Sequence, residues 1–129
     1  MTHECALEAR SYECDSYGHV NNAVYLNYYE QGRWEAFRDA GALDILTNSG
    51  LLLVVTDVRI RYIREANLLD ELEIQTSFSR TSPFLVFRQR IFNHRTGLAV
   101  SRAETKTIFL NEAREPQDIP AALTALLKL

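Results

Sequence analysis

Residues 15–41 read DSYGHVNNAVYLNYYEQGRWEAFRDAG, an acidic turn that runs into one long helix. Asp15, Ser16, Tyr17 and Gly18 form a turn cluster, and Asn21 and Asn22 carry side chains that accept the unpaired N–H groups of a helix start. The helix is therefore expected to begin near Asn22. No proline interrupts it before Ala40, and Gly41 supplies the stop. At the α-helical rise this is about 28 Å of helix. The helical angle gathers Tyr25, Leu26, Tyr29, Gly32, Arg33, Ala36, Phe37 and Ala40 on one side, with Asn27, Gln31, Glu35 and Arg38 opposite. Gly32, Ala36 and Ala40 make a flat strip along which a sheet can approach closely.

Around this helix the sequence switches to period two. Residues 3–13 alternate and predict a strand leading into the Asp15 turn. Residues 43–50 read as a short helical fragment or turn that ends at Gly50. Strands follow at residues 51–62, where Val58, Ile60 and Tyr62 alternate with Asp57, Arg59 and Arg61, and then at 71–79, 84–93 and 98–110. Ser82 and Pro83 mark one turn and the segment His94 to Gly97 another. One face of the last strand carries Ala99, Ser101, Ala103, Thr105, Thr107 and Phe109, mostly small residues, and is expected to pair with the Gly32 strip. Pro120 opens a short carboxy-terminal helix. The order predicts an α+β domain spanning residues 1–129, an antiparallel five- to six-stranded sheet wrapped around one central helix. Its open edges and aliphatic outer face invite a second copy, so a homodimer or homotetramer is expected.

Composition narrows the function classes. With 47% hydrophobic residues in 129 the chain can build a core, which argues against disorder. A net charge of −3 predicts no basic surface of the kind nucleic-acid binding needs, so no nucleic-acid partner is expected. No apolar run reaches membrane-spanning length and the first residues, MTHECALEAR, are too charged for a signal peptide, so a cytoplasmic protein without a membrane span is expected. Cys5 and Cys14 have no neighbouring Cys or His pattern and read as inert thiols, giving neither a metal site nor a disulfide framework.

The run DSYGHVNNAVYLNYYEQGR, Asp15 to Arg33, resembles the opening motif of the 4-hydroxybenzoyl-CoA thioesterase family of hotdog-fold proteins, and is similar to plant acyl-lipid thioesterases of the same superfamily. The segment from His19 to Asn22 also resembles plant acyl-carrier-protein thioesterases, which have Asn where this chain has Tyr17. Coarser likeness extends through the strand from Val58 to Tyr62, the Asp70 turn, the Gly97 hairpin and the Asp118-Ile119-Pro120 ending. After the second strand, where many relatives carry a proline, this chain has Glu65 and Ala66. The resemblance implies the hotdog fold and an acyl thioesterase in which Asp15 is nucleophile or general base.

Thioester hydrolysis needs a site for the oxyanion and a carboxylate that attacks or activates water. A helix start offers unpaired N–H groups and a positive dipole end, which makes the backbone amides of Asn22 and Ala23 the oxyanion candidates. Asp15 precedes them in the turn, and His19 orients substrate or turn. As a lone turn residue Asp15 would be ordinary; the motif around it is what points to chemistry. Tyr17 and Tyr25 are candidates for substrate contact. Arg59, Arg61 and Arg64 on and just beyond one strand, and Arg88 and Arg90 on another, are candidates for the phosphates of coenzyme A, although arginines on a solvated strand face are commonplace. The expected substrate is a small-molecule acyl thioester of coenzyme A or of acyl carrier protein, with no separate cofactor. Two other classes remain open at this point: a hotdog enoyl-thioester hydratase or dehydratase, whose Asp and His are spaced one residue wider around an Asn-Pro, and a non-catalytic acyl-binding protein.

Overall fold

Alternating residues that bury every second side chain assemble into one antiparallel sheet, described here by a computed structural model covering residues 2–129. The strands are β1 (Thr2–Glu8), β2 (Leu52–Tyr62), β3 (Glu71–Thr81), β4 (Phe84–Asn93), β5 (Ala99–Leu110) and the short β6 (Pro116–Gln117). They lie in the order β1-β3-β4-β5-β2, with β6 paired to the end of β5. The helices are α1 (Val24–Asp39), α2 (Leu43–Asn48) and α3 (Ala121–Leu127). This is the α+β hotdog arrangement, a sheet curved about α1. No helix among the described residues is long and apolar enough to cross a membrane.

The core is built where the inner faces of β3, β4 and β5 meet α1. Near the start of α1, Tyr25, Tyr28 and Tyr29 pack with Leu72, Ile74, Ile91 and Val100. Towards its end, Phe37 sits with Phe87, Leu85, Phe109 and Leu123. Gly32 marks the closest approach: a Cβ there would lie 2.8 Å from Ile74 Cγ2 and 3.0 Å from Gln89 Nε2. At Gly32 the helix therefore faces β3 and β4, and not the small face of β5 as the sequence suggested. That face of β5 instead takes the larger side chains of α1: the Tyr29 hydroxyl is hydrogen-bonded to Ser101 Oγ, and Arg33 Nη1 donates to Thr105 Oγ1.

Two boundaries near the site differ from expectation for local reasons. The first strand ends at Glu8, because Ala9 turns away to exchange backbone bonds with Leu69 and Asp70 and a 3₁₀ turn, Ser11–Glu13, follows. The long helix starts at Val24, because the Asn21 side chain is spent on the Ala23 N–H. Tyr28 is buried and Leu26 exposed, so the buried arc of α1 is rotated relative to the expected face. Residues 63–70 carry the chain from one edge of the sheet across to β3, and this crossing forms one side of the site below.

Candidate active site

The Asp15 turn is pinned from both sides. Asp15 N–H donates to the His19 carbonyl at 2.8 Å and Gly18 N–H to the Asp15 carbonyl at 3.0 Å, with Gly18 at φ +77°, a conformation that favours glycine. The Asp15 carboxylate closes the turn on itself: Oδ1 accepts the Tyr17 N–H at 2.9 Å and the His19 N–H at 3.2 Å. Among the described residues Oδ2 has no hydrogen-bond partner, so one carboxylate oxygen is fixed and the other is left for chemistry.

The crossing segment packs against this turn. Val20 N–H donates to the Ala66 carbonyl at 2.8 Å and Leu68 N–H to the Gly18 carbonyl at 2.9 Å, while His19 and Asn67 form a β-bridge. Behind the turn, Asn21 N–H bonds the Glu13 carbonyl, and the Tyr28 hydroxyl donates to the Glu13 carboxylate at 2.9 Å. The turn is thereby tied to α1 from beneath.

The two expected oxyanion donors separate. Ala23 N–H already donates to Asn21 Oδ1 at 2.9 Å, so it is occupied and is withdrawn as a candidate. Asn22 N–H has no partner among the described residues, and the Asn22 carbonyl is held by the Tyr62 hydroxyl at 2.7 Å. One free amide thus stands just before the start of α1, where the helix dipole favours negative charge.

Asp15, His19 and Asn22 open onto a groove of about 450 Å³ whose other walls include Tyr25, Tyr62 and Arg64. Tyr25 meets Tyr62 edge-on with centroids 5.2 Å apart. Burial pushes the Tyr25 hydroxyl above the usual tyrosine range, so it stays neutral. Arg64 Nη1 donates to the Ala99 carbonyl at 2.8 Å, which anchors the guanidinium at the groove edge.

The other candidates lie elsewhere. The Tyr17 ring is 83% exposed and does not line the groove; its contribution is the backbone N–H. Arg59 and Arg61 belong to a separate groove together with residues of the other strands. Sequence reading did not single out Tyr62 or Glu65, which also line the Asp15 groove. Tyr62 occupies the end of an alternating strand, where only its tertiary partner Asn22 distinguishes it.

A carboxylate with one free oxygen, an unpaired amide at a helix start and an adjoining groove are the parts that acyl transfer to water requires. By sequence the chain belongs to the thioesterase-like superfamily, whose family model matches residues 9–127. It is 29% identical over 123 residues to the chloroplastic acyl-acyl carrier protein thioesterase ATL3 of Arabidopsis thaliana, covering 94% of this chain and 65% of that protein. It is 34% identical over 74 residues to the long-chain acyl-CoA thioesterase FadM of Escherichia coli, covering 57% of this chain and 56% of that one. The chain thus spans less than two thirds of the length of both relatives. Among solved structures, a probable thioesterase from Bartonella henselae superposes with a TM-score of 0.83 at 28% identity, covering 93% of this chain and all of that one.

Proposed function

We propose that the protein hydrolyses an acyl thioester, of coenzyme A or of acyl carrier protein, to the free acid and the thiol. The observation that carries this reading is the pairing in one groove of Asp15, with an unpartnered carboxylate oxygen, and Asn22, with an unpartnered N–H. The thioester carbonyl oxygen accepts from Asn22 N–H and gains charge as the carbon becomes tetrahedral. Asp15 Oδ2 either attacks that carbon or takes a proton from the water that does; the C–S bond breaks, the thiolate leaves and is protonated, and water supplies the acid's second oxygen. His19 serves as a positioning residue, because its backbone N–H and carbonyl both hold Asp15. The acyl-CoA and acyl-carrier specificities of the two relatives make both thioesters substrates to test.

The reading includes a second copy of the chain. β2 is a free edge of 11 residues, and Leu52, Val55, Val58 and Tyr62 on it are exposed. Pairing two such edges would bury apolar surface and close one side of the groove at Tyr62. The test is thiol release across aromatic and aliphatic acyl-CoAs and acyl carrier protein, for wild type and Asp15→Asn, with molar mass measured in parallel. Turnover that falls at least about a hundredfold in a folded variant is expected. Equal turnover in the variant would overturn the role of Asp15.

A further inference from the structure

The outer face of the sheet, away from α1, carries a charge pattern that thioester hydrolysis at Asp15 does not use. Register sets Gln75, Arg90, Arg102 and Arg61 directly opposite one another across β3, β4, β5 and β2. The next row is Ser77, Arg88, Glu104 and Arg59. Five arginines and one glutamate thus line a groove of about 640 Å³, in a chain whose net charge is −3. Arg88 pairs with Glu104 at 3.4 Å; among the described residues Arg59, Arg61, Arg90 and Arg102 make no ion pair. The acidic residues nearest the β3 side, Glu4 and Glu73, are engaged with Gln75.

Like charges directly opposite on neighbouring strands repel, and three arginines in one row compound the cost. Arginines on strands normally face solvent beside residues of opposite sign; here the sign repeats across three strands. A two-fold contact centred on this groove does not relieve the repulsion, because it would bring a second set of five arginines and one glutamate against the first. What does relieve it is a compact ligand with several negative charges, and guanidinium groups bind phosphate oxygens in pairs.

We propose that this groove is a binding site for a small polyphosphorylated anion, one carrying two or more phosphate groups, separate from the Asp15 groove. Such an anion comes either as a free polyphosphate or as the phosphate-bearing head of the coenzyme A thioester, and the chemistry recognised is the same. Binding does not depend on whether the chain is a thioesterase, so it is tested independently of catalysis.

The experiment is calorimetric titration at low ionic strength with tripolyphosphate, adenosine 3′,5′-bisphosphate and inorganic phosphate. It compares wild type, the double variant Arg90→Gln/Arg102→Gln, and Arg95→Gln, a charge change at the exposed β4–β5 turn outside the groove. Expected is saturable tripolyphosphate binding, weaker inorganic phosphate binding, at least a tenfold loss of tripolyphosphate affinity in the double variant, about 1.4 kcal/mol, and no change in Arg95→Gln. A raised KM for acyl-CoA at unchanged kcat in the double variant assigns the groove to the substrate's own phosphates; an unchanged KM assigns it to a free polyphosphate. Absence of tripolyphosphate binding, equal losses in the double variant and Arg95→Gln, or a fall in molar mass in the double variant, marking a subunit contact, would each overturn the proposal.

Discussion

The hydroxyl of Tyr62, the last residue of β2, donates a hydrogen bond to the carbonyl oxygen of Asn22 at 2.7 Å and so ties the edge of the sheet to the start of α1. Asn22, whose N–H has no partner among the described residues, is thus held in place by a side chain forty positions away.

Removing that hydroxyl is therefore expected to loosen Asn22 without unfolding the chain. Tyr62→Phe keeps the edge-on contact with Tyr25 and should lower kcat about tenfold with little change in KM, a modest fraction of what losing an oxyanion donor outright costs. Thiol-release kinetics at saturating substrate read this directly, and an unchanged kcat would show that Asn22 does not need Tyr62.

A second hydroxyl tests the underside of the site. Tyr28→Phe removes the bond to the Glu13 carboxylate and should destabilise the fold by about 1.5–3 kcal/mol, the range for a hydrogen bond to a charged group. Urea denaturation measures it. A loss below about 0.5 kcal/mol, within the range of ordinary surface substitutions, would mean that the Glu13 turn holds itself.

Gly32 has no room for a side chain. A Cβ at this position would come within 2.8 Å of Ile74 Cγ2 and force β3 or α1 to shift, so Gly32→Ala should cost about 1–3 kcal/mol by overpacking. Gly32→Leu should cost more. A melting temperature equal to wild type in both would mean that α1 and β3 part readily at this point.

Cys5 contributes to the pH dependence of stability on the alkaline side. Burial, aided by the nearby Glu35 carboxylate, pushes its thiol from 9.0 up to about 12. The unfolded chain then releases the proton at lower pH than the folded one. Stability is full below pH 9 and declines as pH rises toward 12, with Tyr25, Tyr28 and Tyr29, whose hydroxyls are also raised, adding to the fall above pH 10. Denaturation at about pH 8 and about pH 10 should show a smaller drop in Cys5→Ala than in wild type; equal drops would remove Cys5 as the cause.

Much of this could be read along the chain because the controlling signals are local. Alternation placed β2 to β5, Gly97 marked a hairpin, and the motif from Asp15 to Arg33 announced both turn and helix. What escaped was set by contacts distant in sequence. Nothing near Ala23 revealed that Asn21 would occupy its N–H, since an asparagine before a helix serves equally well as a cap or a turn former. Alternation put Arg59 and Arg61 opposite Ile60 and Tyr62, but which of those faces looks toward Asp15 depends on β2 pairing with β5 at the sheet edge. The bonds from Leu68 to Gly18 and from Val20 to Ala66, which fasten the crossing segment over the turn, have no local periodicity at all.

The edge position of β2 gives the groove two walls of unequal firmness. Asp15 and Asn22 stand on a turn laced to Glu13, Ala66 and the start of α1, whereas Tyr62 ends a strand bonded on one side only, by β5. Strand ends with a single neighbour open at lower free energy than interior strands, and because Tyr62 holds the Asn22 carbonyl, movement of the β2 edge is passed to Asn22 while Asp15 stays fixed in its turn. How tightly the β2 edge is clasped, by β5 alone or by a second copy as well, would then set how firmly the Asn22 amide is held relative to the Asp15 carboxylate.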